Sequence, residues 1–486
     1  MTPEDVARAN QFRDGFELVD YAEVGLPVFR LTLEAFTTSQ RAIPTIQEFT
    51  MRCLALGETR EEDIARMLGL NRDVVEGAMN VLVTEGTASR IASPDGLDVF
   101  RLTELGEERL AQELIEVIRE ETLVVDYDGI RRTPIRLAGE NVVRASELKS
   151  AGAVEIRPYP AEPPSVDKLS IPEVSRAIRR EGGDDFNRTV LGLRKVLRRN
   201  NVFRDAVALV FAPLKGEEIQ VAFAIGGKLS ESHERAFAWH GGPKKMGFVR
   251  TVAGDQPRRR LDRLLGRDTV RDCVPDEQLV AARQEEASAV AEVQSVRPAA
   301  ASAGRSSGPA RALAAAEERL AVARHTLVRM PLRPLACYEQ DDLLFEALKQ
   351  ANRELLVTSA GMQPTRLNGY VLREIDRLIS DGVKQRFTSF LAPQVEPRGG
   401  DHYDPLSELT KRANAGRLRL EQAARGEFHF LVQDDRLAVI STRPFFGDVV
   451  RRSGFSRVTG YVARKPRLVE QIRALAERSA TARKRG

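Results

Sequence analysis

The chain has 486 residues, 42% of them hydrophobic and 30% charged, and its 74 basic side chains barely exceed its 70 acidic ones, for a formal charge of +4. At about 150 residues per domain this is a chain of roughly three domains with apolar content for real cores, and so even a charge balance does not by itself select nucleic acid as a partner. No apolar run approaches the roughly 20 residues of a membrane span, Met1-Thr2-Pro3-Glu4-Asp5 lacks the regions of a signal peptide, and Cys53, Cys273 and Cys337 have neither metal spacing nor even pairing. The expectation is a cytoplasmic protein with no cofactor, no bound metal, no disulfide and no membrane contact.

Thr45 to Glu121 reads as a winged helix-turn-helix within an N-terminal region spanning 1–123. A helix from about Ile46 to Leu56 precedes Thr59-Arg60-Glu61-Glu62, a capping box that opens a second helix, Asp63 to Leu68. Gly69-Leu70-Asn71 makes the turn, with Asn71 capping a third helix from Arg72 to Glu85, the order a helix-turn-helix requires. Ala88 to Ile91, a Ser93-Pro94-Asp95-Gly96 turn and Val99 to Leu102 predict the wing, and an amphipathic helix from Glu104 to Glu120 closes the unit. Arg72 and Asn80 on the third helix and Arg90 on the wing are the candidate nucleic-acid contacts. Asp73 and Glu76 oppose them, so a protein-docking module is the competing reading.

Short strands and a proline-rich linker follow over 124–164, then a basic central α/β domain over 165–275. Ile171 to Asn200 predicts a basic helix whose Arg194, Lys195, Arg198 and Arg199 are the strongest phosphate-binding candidates in the chain. Two strands, Ala206 to Phe211 and Ile219 to Ile225, lead to Gly226-Gly227-Lys228, which lacks the first glycine of a phosphate loop and predicts only a hairpin and a helix start. His233 and His240 fall on one helical face, where capping and packing explain them. Lys244-Lys245 and Arg258-Arg259-Arg260 form a second basic patch, equally readable as a solvated surface. Over 276–331, Leu279, Ala282, Ala289 and Val293 on one arm and Leu313, Ala316, Leu320, Ala323 and Leu327 on the other predict an antiparallel helical hairpin, a spacer or a surface for a second copy.

From 332 to 486 helices and strands alternate, which predicts an α/β layered domain around a mixed sheet. Its most telling stretch is a hairpin, Glu427-Phe428-His429-Phe430-Leu431-Val432-Gln433-Asp434-Asp435-Arg436-Leu437-Ala438-Val439-Ile440-Ser441. An F-L-V-x-D-D strand and tight turn followed by L-A-V-I-S resembles the signature hairpin of the phospholipase D-like superfamily, preceded there by a His-x-Lys pair. Asp381-Gly382-Val383 resembles that family's R-G-V turn, and Ser441-Thr442-Arg443-Pro444 its G-S-x-N segment with Pro444 in the asparagine position.

The resemblance implies a phosphodiesterase site in which a neutral imidazole attacks phosphorus while a lysine and a second imidazole offset the charge on the phosphoryl oxygens. In one registration Glu427 takes the nucleophile position and His429 the lysine position. In the other His429 is the nucleophile and Leu431 stands where the lysine belongs. Neither leaves an intact site. His429, Glu427, Asp434 and Ser441 are therefore the residues of a degenerate catalytic site, and Arg443, Arg451 and Arg452 beside it are candidates to hold a phosphate backbone without cutting it. The expectation is a multi-domain α/β pseudoenzyme that binds nucleic acid, chiefly DNA, or protein subunits in a DNA-processing or antiphage defence assembly. A dimeric nuclease pairing His429 from two copies, with His402 as a substitute partner, is one alternative, and a winged-helix transcriptional regulator is another.

Overall fold

A computed structural model describes the chain except for residues 1, 93–97, 113, 138–141, 179–188, 253–256, 303–307, 364–365, 391–404, 424–425, 448–454 and 482–486. The fold is mixed α/β with two large sheets. Its backbone is a single strand, Phe16–Ala42, which runs antiparallel to Leu114–Asp128 on one side and to Thr189–Pro213 on the other. Gln220–Ile225 and shorter strands extend this into a nine-stranded sheet.

The proximal half of the sheet buries Val19, Val24, Leu26, Val210 and Phe223 against Phe237 and Phe248. Further out, Phe29, Leu31, Leu33, Leu123 and Val125 meet Val174 of the helix Ile171–Ile178. Beyond its base the sheet narrows to a three-stranded arm. At the antiparallel rise of about 3.4 Å per residue, 28–42 carries the chain about 50 Å outward.

Three expectations give way here. Residues 189–200 form strand, not the basic helix read from 171 onward, because long pairing with Phe16–Ala42 outweighs local composition. The register slips between Thr32/Leu33, Glu34/Ala35 and Phe36/Thr37, and such bulges break the alternation that would have betrayed a strand. The closing helix of the winged unit stops at Gln112, and Leu114–Asp128 pairs residue for residue with 28–42. Since one sheet takes strands from all three segments, the expected boundaries at 123/124 and 164/165 both cut through it.

The winged unit is inserted at the arm's tip, between Ala42 and Leu114. Helices Thr45–Ala55, Glu61–Leu68 and Arg72–Thr84 and the hairpin Ala88–Ala92/Asp98–Leu102 enclose Met51, Ile64, Val75, Met79, Leu82 and Phe100. Asn71 caps the third helix by accepting from the Asp73 amide at 3.4 Å. The second begins after Arg60 with no side-chain cap, in place of the predicted box at Thr59. The helices Asp276–Ala301 and Gly308–Val328 form the hairpin, antiparallel as Arg324–Glu286 and Arg319–Glu292 show, and the first runs straight through Pro298.

The C-terminal domain has seven strands in the spatial order Leu332–Pro334, Gly460–Ala463, Leu437–Ser441, His429–Gln433, Glu354–Ser359, Lys384–Ser389, Arg419–Gln422. Helices Gln340–Gln350, Gly369–Ser380 and Pro405–Asn414 cover one face; Pro257–Leu265 and Pro466–Thr481 cover the other. The base of the arm docks on this domain. Val458 donates to the Val19 carbonyl at 3.0 Å, Tyr338 Oη to Gln11 Oε1 at 2.8 Å, and Phe455 enters the core beneath the first sheet.

Candidate functional site

The hairpin turn sets the geometry of the candidate site. Asp434 takes φ +49°, a left-handed conformation that aspartate tolerates better than most residues. Its carboxylate accepts the amides of Asn352 at 3.0 Å and of Arg353 and Glu354 at 2.8 Å each. These bonds pin the hairpin to the start of the neighbouring strand and give Asp434 a structural role.

His429 opens its strand opposite Ser441 and is 4% exposed, with its ring 5.3 Å from that of Phe390. Burial lowers its pKa to about 4, which keeps the imidazole neutral. Nδ1 has no hydrogen-bond partner among the described residues. Among the described residues no charged group shifts its titration, and the ring is closed off from solvent. Leu431, the lysine position of the second registration, is fully inside the core. Glu427 lies just before the strand, half-exposed, and its carboxylate is ion-paired with Arg260 of the helix Pro257–Leu265. It lines an open cleft with Arg263, Phe430 and Arg478.

Ser441 is fully buried; its Oγ donates to Gln340 Oε1 at 2.9 Å and accepts the Arg443 amide at 3.0 Å. It secures the strand end. Arg443 turns away from the site: its guanidinium pairs with Asp20 of the long strand, donates to the Cys337 carbonyl at 3.1 Å and lies 5.5 Å over the Tyr21 ring. Asp20, wholly buried, also accepts the Tyr21 and Ser456 amides at 2.9 Å. The arginine read as a phosphate ligand is thus an interdomain tie. Its partner lies more than 400 residues away in sequence, which no local motif could have indicated. Arg451, Arg452 and His402 lie outside the described residues.

The candidate nucleic-acid contacts are mostly spoken for. Arg72 pairs with Glu62 at 2.8 Å, and Arg90 pairs with Asp98 and stacks on Phe100. Asn80 is exposed, on a helix face it shares with Asp73, Val74, Glu76 and Val81. On the arm Arg194 meets Glu120 at 2.6 Å and Lys195 meets Glu34 at 3.2 Å. Among the described residues Arg198 and Arg199 stay exposed with no ion pair, and no strand pairs with the far side of theirs at this level of the sheet. Among those residues no group of three His, Cys, Asp or Glu side chains could hold a metal ion, and no helix is long and apolar enough to cross a membrane.

No protein-family model matches the chain, nor does any curated protein. Solved structures match in part. TrmBL2, an archaeal chromatin protein described as showing a novel mode of DNA binding, is 18% identical over 34% of this chain and 59% of its own length, with a TM-score of 0.23. The phospholipase D family member Nuc from Salmonella typhimurium is 13% identical over 28% of this chain and 84% of its own, with a TM-score of 0.21. NucT from Helicobacter pylori is 9% identical over 30% and 95%, with a TM-score of 0.22. This chain therefore spans about three fifths of TrmBL2's length, and likenesses at these scores carry no argument about its chemistry.

Proposed function

We propose that the C-terminal domain is a phospholipase D-like fold without catalytic function, and that the chain is an accessory protein which binds nucleic acid or partner subunits in a DNA-processing assembly, with antiphage defence as its setting. The observation that carries the non-catalytic reading is the state of the two positions where chemistry would reside: a buried, uncharged imidazole at 429 and an ion-paired carboxylate at 427. Phosphodiester cleavage needs a nucleophile that can touch phosphorus and cations aimed at the oxygens where charge gathers. Neither position supplies them. The dimeric-nuclease reading meets the same obstacle, since a side chain only 4% exposed cannot reach a second copy.

Binding is supported by the arm, which holds a winged unit at a distance from the body and exposes Arg198 and Arg199 nearer its base. The acidic face of the third helix counts against a transcriptional regulator reading operator sequence. The test is incubation with labelled single- and double-stranded DNA and RNA, run on native and denaturing gels, for the wild type, His429→Ala and Arg198→Ala/Arg199→Ala. A mobility shift without cleavage, weaker in the arm variant and unchanged in His429→Ala, is the expected result. Cleavage abolished by His429→Ala overturns the non-catalytic reading, and no shift with any probe overturns nucleic-acid binding.

A further inference from the structure

The chain's one tryptophan, Trp239, ends the helix Glu231–Trp239 and is 87% exposed, an unusual position for the most apolar large ring available. Gly241, at φ +67°, reverses the backbone there and brings Lys245 of the following turn to a facing loop, Arg157-Pro158-Tyr159-Pro160, with Lys244 exposed beside it in sequence. Tyr159 is 48% exposed; Lys245 Nζ sits 2.9 Å from the centre of its ring, and the His240 ring 5.5 Å away. Arg157, Tyr159, His240 and Lys245 line a cleft of ≈ 190 Å³ floored by Ile130 and Phe237.

The floor is rigid. Phe237 packs edge-on against Phe223 at 5.2 Å, and the helix is tied to the end of a central strand through His233, whose Nε2 is 2.7 Å from Asp128 Oδ2. Two prolines stiffen the facing loop, and Arg132 donates to the Pro160 carbonyl at 3.4 Å. Unlike Arg72, Arg90, Arg194 and Lys195, the cations Arg157, Lys244 and Lys245 have no carboxylate partner among the described residues.

We propose that this cleft and its rim are a binding site for single-stranded nucleic acid, with Trp239 and Tyr159 stacking unpaired bases and Arg157, Lys244 and Lys245 holding the phosphates between them. Exposed rings interleaved with unpaired cations on a stiff support are what such binding requires, because every base offers a π-face and the backbone offers charge at each step. A duplex hides its base faces in its own stack and would meet only the cations. In the free protein Lys245 occupies the tyrosine face; an arriving base displaces it towards the phosphate on the same strand. The proposal rests on the nucleic-acid reading above and locates it on a surface separate from both the arm and the degenerate hairpin.

The test uses Trp239 as its own reporter. Titration of the full chain with a short oligo-dT or oligo-U should quench tryptophan emission to saturation, and a duplex of equal length should not. Anisotropy of a labelled strand should show Trp239→Ala weakening binding by about 10-fold or more. Arg157→Ala/Lys244→Ala/Lys245→Ala should lower the salt slope by about 2, at roughly 0.7 for each phosphate no longer neutralised. All these side chains are exposed, so the variants should keep the wild-type circular dichroism. Strand binding that leaves emission unchanged and is unaffected by these substitutions overturns the site while leaving nucleic-acid binding standing. Equal quenching by duplex overturns the single-strand preference, and no binding to any oligonucleotide overturns both readings.

Discussion

Replacing Asp434 with alanine separates a structural role from a catalytic one. The carboxylate is 3% exposed and accepts three backbone amides, at 3.0, 2.8 and 2.8 Å. Hydrogen bonds to a charged group contribute about 1.5–3 kcal/mol each, but three bonds to one carboxylate are not additive, so a loss of about 4 kcal/mol is reasonable for the set. Alanine at φ +49° adds about 1 kcal/mol of backbone strain. Asp434→Asn keeps the favourable turn residue and one acceptor oxygen for the Arg353 and Glu354 amides, and loses the bond from Asn352, for a cost of about 2 kcal/mol.

The assay is amide hydrogen exchange on the full chain, read at 352–354 and across the hairpin, with urea denaturation beside it. Protection at those amides should fall steeply in Asp434→Ala and partly in Asp434→Asn. If alanine changes neither exchange nor stability by more than about 1 kcal/mol, the carboxylate is not what pins the hairpin, and its assignment as structural fails.

Three further outcomes follow from the geometry already described. Because burial holds the His429 pKa at about 4, below its usual 6.5, the unfolded chain takes up this proton first as the solution is acidified. The stability linked to it is intact above about pH 6.5 and is lost as pH falls towards 4, by up to about 3 kcal/mol; His429→Phe should flatten that part of a pH–stability curve. Asp20→Ala removes the carboxylate that pairs with the buried Arg443 guanidinium and accepts the Tyr21 and Ser456 amides, and should cost about 3 kcal/mol, seen as uncoupling of the arm's base from the C-terminal domain in limited proteolysis. Asp73→Lys/Glu76→Lys should raise duplex affinity and steepen its salt dependence if the acidic helix face is what excludes DNA from the winged unit; unchanged affinity refutes that account.

The C-terminal hairpin and the winged unit were legible because their signals are local. Continuous short apolar runs on either side of Gln433-Asp434-Asp435-Arg436 specify two buried paired strands, and Asn71 and Gly69 punctuate the helix-turn-helix. The arm was illegible because its strands are stabilised by partners far away in sequence, as Leu31 is by Arg199, and because bulges shift the period midway. Leu114 to Val125 did carry a strand signal in Ile115, Val117, Thr122, Val124 and Val125, masked by the glutamates that also suit a helix. At the site, the burial of His429 and the engagement of Arg443 depend on elements brought together only by the fold. Residue identity nominated the side chains of the candidate site, and not where they point.

The insertion of the winged unit between two adjacent antiparallel strands makes the arm a caliper. Both ends of the unit leave through neighbouring rungs of one ladder, so it cannot swivel freely as it would on a single linker, and any rotation must twist three strands together. Removing two residues from each of the paired strands would draw the tip in by about 7 Å while returning every remaining side chain to its original face; removing one would turn the faces over. The span between whatever the tip engages and whatever the body engages is in this way written in the strand lengths, in steps of two residues.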